Sequence, residues 1–172
     1  ELMRVHGRKL NAWIYSQLER RVPELDEVFF DKLKRWFDYP EENRLEKKLL
    51  RAAHYLATQW EFGIIYHFNQ AIYGIDATKA AIESNIEDHY DLAGVQKISL
   101  KGKTSKFIDL VGQLRFQKRW AQSPRVPETS VMGHVLIVAI LGYFCAAELG
   151  ACDERIVNDF LCGLFHDLPE VL

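Results

Sequence analysis

Apolar residues recur at three- and four-residue spacing along nearly the whole chain, with few alternating β-branched runs, which is the period of an α-helix. The pattern predicts an all-α protein. A first helix is expected over about residues 2–21, ending before Pro23, and a second over about 24–37, ending near Pro40. Pro40 in a first turn, with Glu41 and Glu42 behind it, starts a long third helix, and Gly74 closes it. Its stripe Leu45, Leu49, Ala53, Leu56, Trp60, Ile64 should face a core. Asp76 is placed to cap a fourth helix that runs to about Asp88. Residues 93–104, with Gly94, Gly102 and scattered lysines, read as a loop or a short extended segment.

The second half changes character. A helix from about Ser105 to Trp120 carries Phe107, Leu110, Val111 and Leu114 and ends in Lys118-Arg119-Trp120, after which Ser123-Pro124 and Val126-Pro127 force a loop. Thr129 or Ser130 can cap the apolar helix that follows, which Gly150 terminates near Leu149. Asp153 and Glu154 favour a last helix to about Asp167, and Pro169 biases Leu168 out of helical geometry, so His166 and Asp167 fall where the backbone turns. The chain thus divides into an N-terminal helical region, residues 1–92, a linker over 93–104, and a second region over 105–172.

A chain of 172 residues with 48% hydrophobic content can bury a sizeable core, so a soluble globular protein is expected. Cys145, Cys152 and Cys162 form an odd set without CxxC spacing, which argues against a disulfide framework or zinc ribbon and for buried free thiols in a reducing, cytoplasmic compartment. No secretory apolar segment opens the chain. The apolar run Val131 to Ala147 is interrupted by His134 and falls short of the ~18–20 residues of a membrane span, so a buried core helix is expected and no membrane association. The chain begins at Glu1 rather than methionine and stops directly after Glu170-Val171-Leu172, and it reads as a piece of something longer.

The net charge of −2 conceals a segmental pattern. Lys97, Lys101, Lys103, Lys106, Arg115, Lys118, Arg119 and Arg125 face a single acid, Asp109, over residues 97–125, whereas residues 126–172 carry seven acids and only Arg155. A basic stretch beside an acidic one suits an anionic substrate bridged to a cation, although a solvated charged face would look the same for the lysines. Within the acidic stretch, His134, His166 and Asp167 form a mixed nitrogen and oxygen set suited to a catalytic divalent metal with open positions for water and substrate. A lone histidine on an apolar helix is ordinarily a satisfied core residue, and periodicity alone does not lift His134 above that reading. Arg119 offers a planar fork of donors matched to a phosphate, and Trp120 a flat face for a sugar or base. The competing reading of that pair is a basic helix C-terminus whose tryptophan anchors the core. Glu170, three residues beyond Asp167, is close enough to orient or deprotonate a water, or is simply an exposed acid behind Pro169.

Taken in order, Arg119-Trp120, Pro127-Glu128-Thr129-Ser130 leading to Gly133-His134, and His166-Asp167-Leu168-Pro169-Glu170 resemble the HD-domain metal-dependent phosphohydrolases, in particular the branch containing 5'-deoxyribonucleotidases, over about residues 113–172. The resemblance implies a multi-helix HD-type array, truncated here, in which His134, His166 and Asp167 bind a divalent transition metal (Mn, Co, Fe or Zn). It implies a fourth ligand too, an aspartate on a later helix that the chain stops short of. Arg119 and Trp120 would sit at the phosphate and sugar, and Glu170 beside a metal-activated water. The implied substrate is a small anionic phosphate ester, most simply a nucleotide phosphomonoester. Gly133 stands where that branch often carries an acid, which bears on substrate more than on metal.

Three other readings are weighed. The first is a non-catalytic regulatory or scaffold module whose HD-like half binds nucleotide or metal. The second is a nucleic-acid binder using residues 97–125, disfavoured because aromatics interleave there only at Phe107, Phe116 and Trp120. The third is a polar site on the third helix made of His54, Thr58 and Glu61, where a seam between helices is the commoner outcome. His89-Tyr90-Asp91 lacks His-Asp adjacency and is discounted. Apolar surface on the Val131–Leu149 helix leaves room for self-association into a homo-oligomer.

Overall fold

A computed structural model describes residues 2–23, 27–39, 41–124 and 126–172. Among them are eight α-helices, one 3₁₀ turn and no strand, so the chain is all-α. It forms two compact units, Glu1–Val95 and Gln96–Leu172. The expected helical start at Pro40, and residues 24–26 of the expected second helix, lie outside the described residues.

In the first unit, α1 (Leu2–Arg21) packs on α2 (Glu27–Asp38). Tyr15 joins them: its ring meets Phe30 edge-on at 6.1 Å, and its hydroxyl donates to the Asp38 carboxylate at 3.1 Å. Burial, then the hydrogen bond and charge of Asp38, push the phenol from its ordinary value of 10.0 up to about 12. The unfolded chain therefore loses this proton first, binds fewer protons than the folded chain between those values, and stability falls as pH rises through that window. Tyr15→Phe is expected to flatten that fall, read as the difference in urea midpoint between the two chains across the alkaline range. Parallel curves would mean that the Asp38 contact does not couple to folding.

Helices α3 (Arg44–Phe68) and α4 (Ile75–Glu87) enclose a core of Ala52, Ile86 and Val95, with Tyr55, Leu56, Ile82 and Leu92 against it. The buried seam of α3 is displaced from the expected stripe, because Leu45, Leu49 and Ala53 are exposed while Ala52, Tyr55 and Leu56 face inward. This helix carries apolar residues on adjacent faces, and periodicity alone does not choose between them. The helix ends at Phe68, six residues before Gly74, and Gly74 instead takes the left-handed conformation (φ 79°) that opens α4. Asp76 does not cap α4: it accepts from the Tyr66 hydroxyl at 2.9 Å. Residues 93–104 are not a loop either. Leu92 and Val95, three apart, anchor a short α5 (Ala93–Ser99) to the core. His89 is buried with its ring stacked on Tyr55 at 5.8 Å, and Asp91 pairs with Lys48, so that trio has a packing role.

The second unit holds α6 (Lys103–Gln113), α7 (Val131–Glu148), α8 (Asp153–Phe165) and the 3₁₀ turn Leu168–Val171. Its core is Leu114, Val131 and Val135, covered by Met132, Leu164, Leu168 and Val171. Ser130 caps α7, its hydroxyl accepting from the Gly133 N–H at 3.1 Å. Along α7 only one face is buried, through Val131, Val135, Ala139 and Ala146, and Leu136, Ile137 and Leu141 are exposed, so the expected buried core helix is buried on that face alone. By length and composition alone α7 is long and apolar enough to cross a membrane. The three cysteines are exposed rather than buried. The seam along which α7 meets α8 is made by small residues. A side chain at Gly163 would place its Cβ 2.8 Å from the Ala139 Cα, and one at Gly142 would meet the Asp159 carbonyl at 3.3 Å.

Candidate metal and phosphate site

The site begins where α6 stops. The sequence predicts helix through Trp120, but α6 ends at Gln113, because Leu114 is drawn completely into the α7 core and gives its carbonyl to the Met132 N–H at 3.1 Å. Tertiary burial overrides local periodicity here. The chain then runs alongside the start of α7: Val131 N–H donates to Gln117 and Arg119 N–H to Thr129, both at 2.9 Å, and Lys118 pairs with Ser130. Arg119 and Trp120 are thus held on a hydrogen-bonded edge and not at a helix C-terminus. Nor does Trp120 anchor a core. It is 67% exposed and holds φ 56°, a left-handed backbone that costs a bulky residue energy, so neither its ring nor its conformation benefits the fold.

Two further elements bring in the remaining groups. His134 sits one turn into α7, its N–H bonded to the Ser130 carbonyl at 3.1 Å. His166 closes α8, and Asp167 follows at φ −95°, ψ 10°, where the chain leaves the helix. His166 Nδ1 lies 2.8 Å from the Gly163 carbonyl. A carbonyl only accepts, so Nδ1 carries the hydrogen and the lone pair of the neutral ring is at Nε2. That Nε2 is 3.2 Å from Asp167 Oδ1, and His134 Nε2 is 3.7 Å from Asp167 Oδ2. One ligand atom from each of His134, His166 and Asp167 lies within 4.8 Å of the others, and the three side chains are no more than half exposed. Two imidazole nitrogens and one carboxylate fit a first-row divalent ion and leave coordination positions free.

Arg119 meets this cluster, its Nη1 donating to Asp167 Oδ2 at 3.4 Å. Lys118, Arg119, Trp120 and Glu170 line a cavity of about 290 Å³ next to it. Glu170 is held there by its turn: its N–H bonds the Asp167 carbonyl at 3.0 Å, and Leu168 and Val171 on either side are seated in the Leu114 core. Trp120, His134, His166, Asp167 and Glu170, from three stretches of the chain, therefore converge with Arg119 on one place. Glu128 and Asp159 do not join the ligand cluster. Glu128 pairs with Lys118 at 2.7 Å, and Asp159 takes the Arg155 guanidinium at 2.9 and 3.0 Å. His54, Thr58 and Glu61 belong to the other unit, where the Thr58 hydroxyl donates to the His54 carbonyl in its own helix at 2.9 Å. Sequence reasoning missed Lys118 as a lining residue and Gly163 as the contact that sets α8 against α7. The Lys118-Arg119 doublet was a signal for the first, and the small residues Ala139, Gly142 and Gly163 were one for the second.

Residues 111–172 match the family model of the HD domain. The match supports the HD-domain superfamily for this stretch, whose domains bind divalent metals and are in general hydrolases. No curated protein and no solved structure matches the chain significantly.

Proposed function

We propose that residues 105–172 carry a metal-dependent phosphohydrolase centre that acts on a nucleotide phosphomonoester, with residues 1–92 as a separate helical region. The observation that supports it most is the convergence of His134, His166 and Asp167 within 4.8 Å, with Arg119 3.4 Å from the shared carboxylate and a cavity of about 290 Å³ beside them. In this reading the three side chains hold Mn, Co, Fe or Zn, which supplies Lewis acidity and brings the pKa of water to about 7. Arg119 binds the phosphoryl oxygens through its fork of donors, on a fixed edge that keeps the guanidinium oriented before substrate arrives. Glu170 orients the attacking water and accepts its proton at a carboxylate oxygen. Trp120 presents an exposed face for the sugar. The cations Lys118 and Arg119 match an anionic small molecule.

The reading predicts a separation of effects between neighbours. Arg119→Ala should lower kcat by about 10²–10³ on every phosphate ester the protein hydrolyses, since it removes a preorganised donor. Trp120→Ala should instead shift the ratio of deoxyribo- to ribonucleotide turnover. The measurement is phosphate release from a panel of nucleoside monophosphates by the purified chain supplied with each metal in turn. Nucleotide binding without phosphate release from any ester would replace the enzyme by a non-catalytic binding module, and an equal loss across the panel from Trp120→Ala would return the tryptophan to a supporting role.

A further inference from the structure

A second cavity, of about 350 Å³, adjoins the first through Lys118, which lines both. Its other walls are Arg115, Phe116, Glu128, Thr129 and Ser130. Phe116 is 55% exposed, and the Arg115 guanidinium lies 5.5 Å from its ring centroid, within cation–π reach. In the same lining Glu128 accepts from Lys118 through Oε1 at 2.7 Å, which leaves its second oxygen to accept from a ligand. We propose that this cavity is a nucleobase pocket, with the base stacked on Phe116 beside Arg115 and an exocyclic amino group donating to Glu128; this rests on the reading of the first cavity as the phosphate end.

Two features choose a base over a second phosphate. Arg115 and Lys118 would suit an anion, but the Glu128 carboxylate is placed among them and would repel one. An exposed ring with a planar cation beside it is a platform for another flat π system. Lys118, which lines both cavities, stands at the junction between the phosphate end at Arg119 and the proposed base end at Phe116. Selectivity follows from Glu128, which when ionised only accepts. Adenine and cytosine present an amino donor where thymine presents a carbonyl acceptor, so the pocket should favour the amino bases.

The test is calorimetric titration of the full chain, wild type and variants, with deoxyadenosine 5'-monophosphate, thymidine 5'-monophosphate and inorganic phosphate. Phe116→Ala should weaken both nucleotides about tenfold and leave inorganic phosphate unchanged, with Phe116→Tyr restoring affinity. Glu128→Gln should abolish the preference for the adenine nucleotide, because an amide can donate to the thymine carbonyl as well as accept. If Phe116→Ala leaves Arg119-dependent nucleotide binding intact, or weakens phosphate as much as nucleotide, the base lies elsewhere and the inference is overturned while the phosphate site stands. If phosphate and nucleotides fail to bind, or bind equally well to Arg119→Ala, the phosphate reading itself fails and the base pocket with it.

Discussion

Asp167→Ala is expected to strip the second unit of its divalent ion, with affinity falling by ~10² or more, and His134→Ala to do the same from the opposite helix. Asp167 is the node of the cluster: Oδ1 lies 3.2 Å from His166 Nε2, and Oδ2 faces both His134 Nε2 at 3.7 Å and Arg119 Nη1 at 3.4 Å. Its removal takes away the one negative charge among the three donors and leaves a guanidinium beside two imidazoles, an arrangement that repels a cation. Neither change should disturb the helices. Asp167 lies past the end of α8, and His134 is outside the Leu114, Val131, Val135 core. The measurement is metal content after dialysis against Mn²⁺, Co²⁺, Fe²⁺ and Zn²⁺, alongside far-ultraviolet circular dichroism. Unchanged metal content in both variants, with helical signal intact, would remove the site assignment and the proposed reaction with it.

The parts of this site that were legible from sequence are those in which a few residue types decide the chemistry. His166-Asp167 before Pro169 had to fall where a helix ends, since proline restricts the residue before it, and the side chains of such a pair project from one turn. Ser130 as a cap, three residues before Gly133, was similarly local. What periodicity could not give was the competition between elements. Leu114 continues the apolar pattern of α6 perfectly well, yet it contributes more when buried against Val131 and Val135, and that tertiary gain ends the helix and turns Arg119 and Trp120 onto an edge. The reverse happened at residues 93–104, where glycines and lysines suggested a loop and two apolar residues, Leu92 and Val95, were enough to seat a helix. On α3 the expected stripe missed the seam because Leu45, Leu49 and Ala53 lie on a face adjacent to that of Ala52 and Tyr55, and both faces carry apolar residues. The cysteines are exposed against expectation because their usual burial is a statistical tendency, and it carries no information about which face of α7 or α8 Cys145 and Cys162 occupy, or that Cys152 falls between the two helices.

Gly163→Ala should be the most damaging change outside the ligands. In a helix interior this substitution ordinarily stabilises by up to ~1 kcal/mol, as alanine restricts the unfolded backbone. At Gly163 the added Cβ would stand 2.8 Å from the Ala139 Cα, 2.9 Å from its N and 3.2 Å from the Val138 carbonyl carbon, all backbone atoms of α7 that cannot rotate away. The helices must separate, at an overpacking cost of about 1–3 kcal/mol or more, so the net sign is loss. Ala139→Gly cannot rescue it, since the clash is with main chain and not with the alanine methyl. The functional consequence follows from position: Gly163 also supplies the carbonyl that orients His166, and His166 and Asp167 follow it directly, while His134 lies on the helix being pushed away. Metal affinity should therefore drop even under conditions where most of the chain is folded. Gly63→Ala is the matched control, because it sits in α3 with nothing within 4 Å of the new carbon, and it should leave metal binding untouched and raise the melting temperature slightly. If both substitutions raise the melting temperature and neither affects the ion, the α7–α8 contact has room to spare, and the alignment of His134 with His166 and Asp167 must be maintained by the Leu114 core.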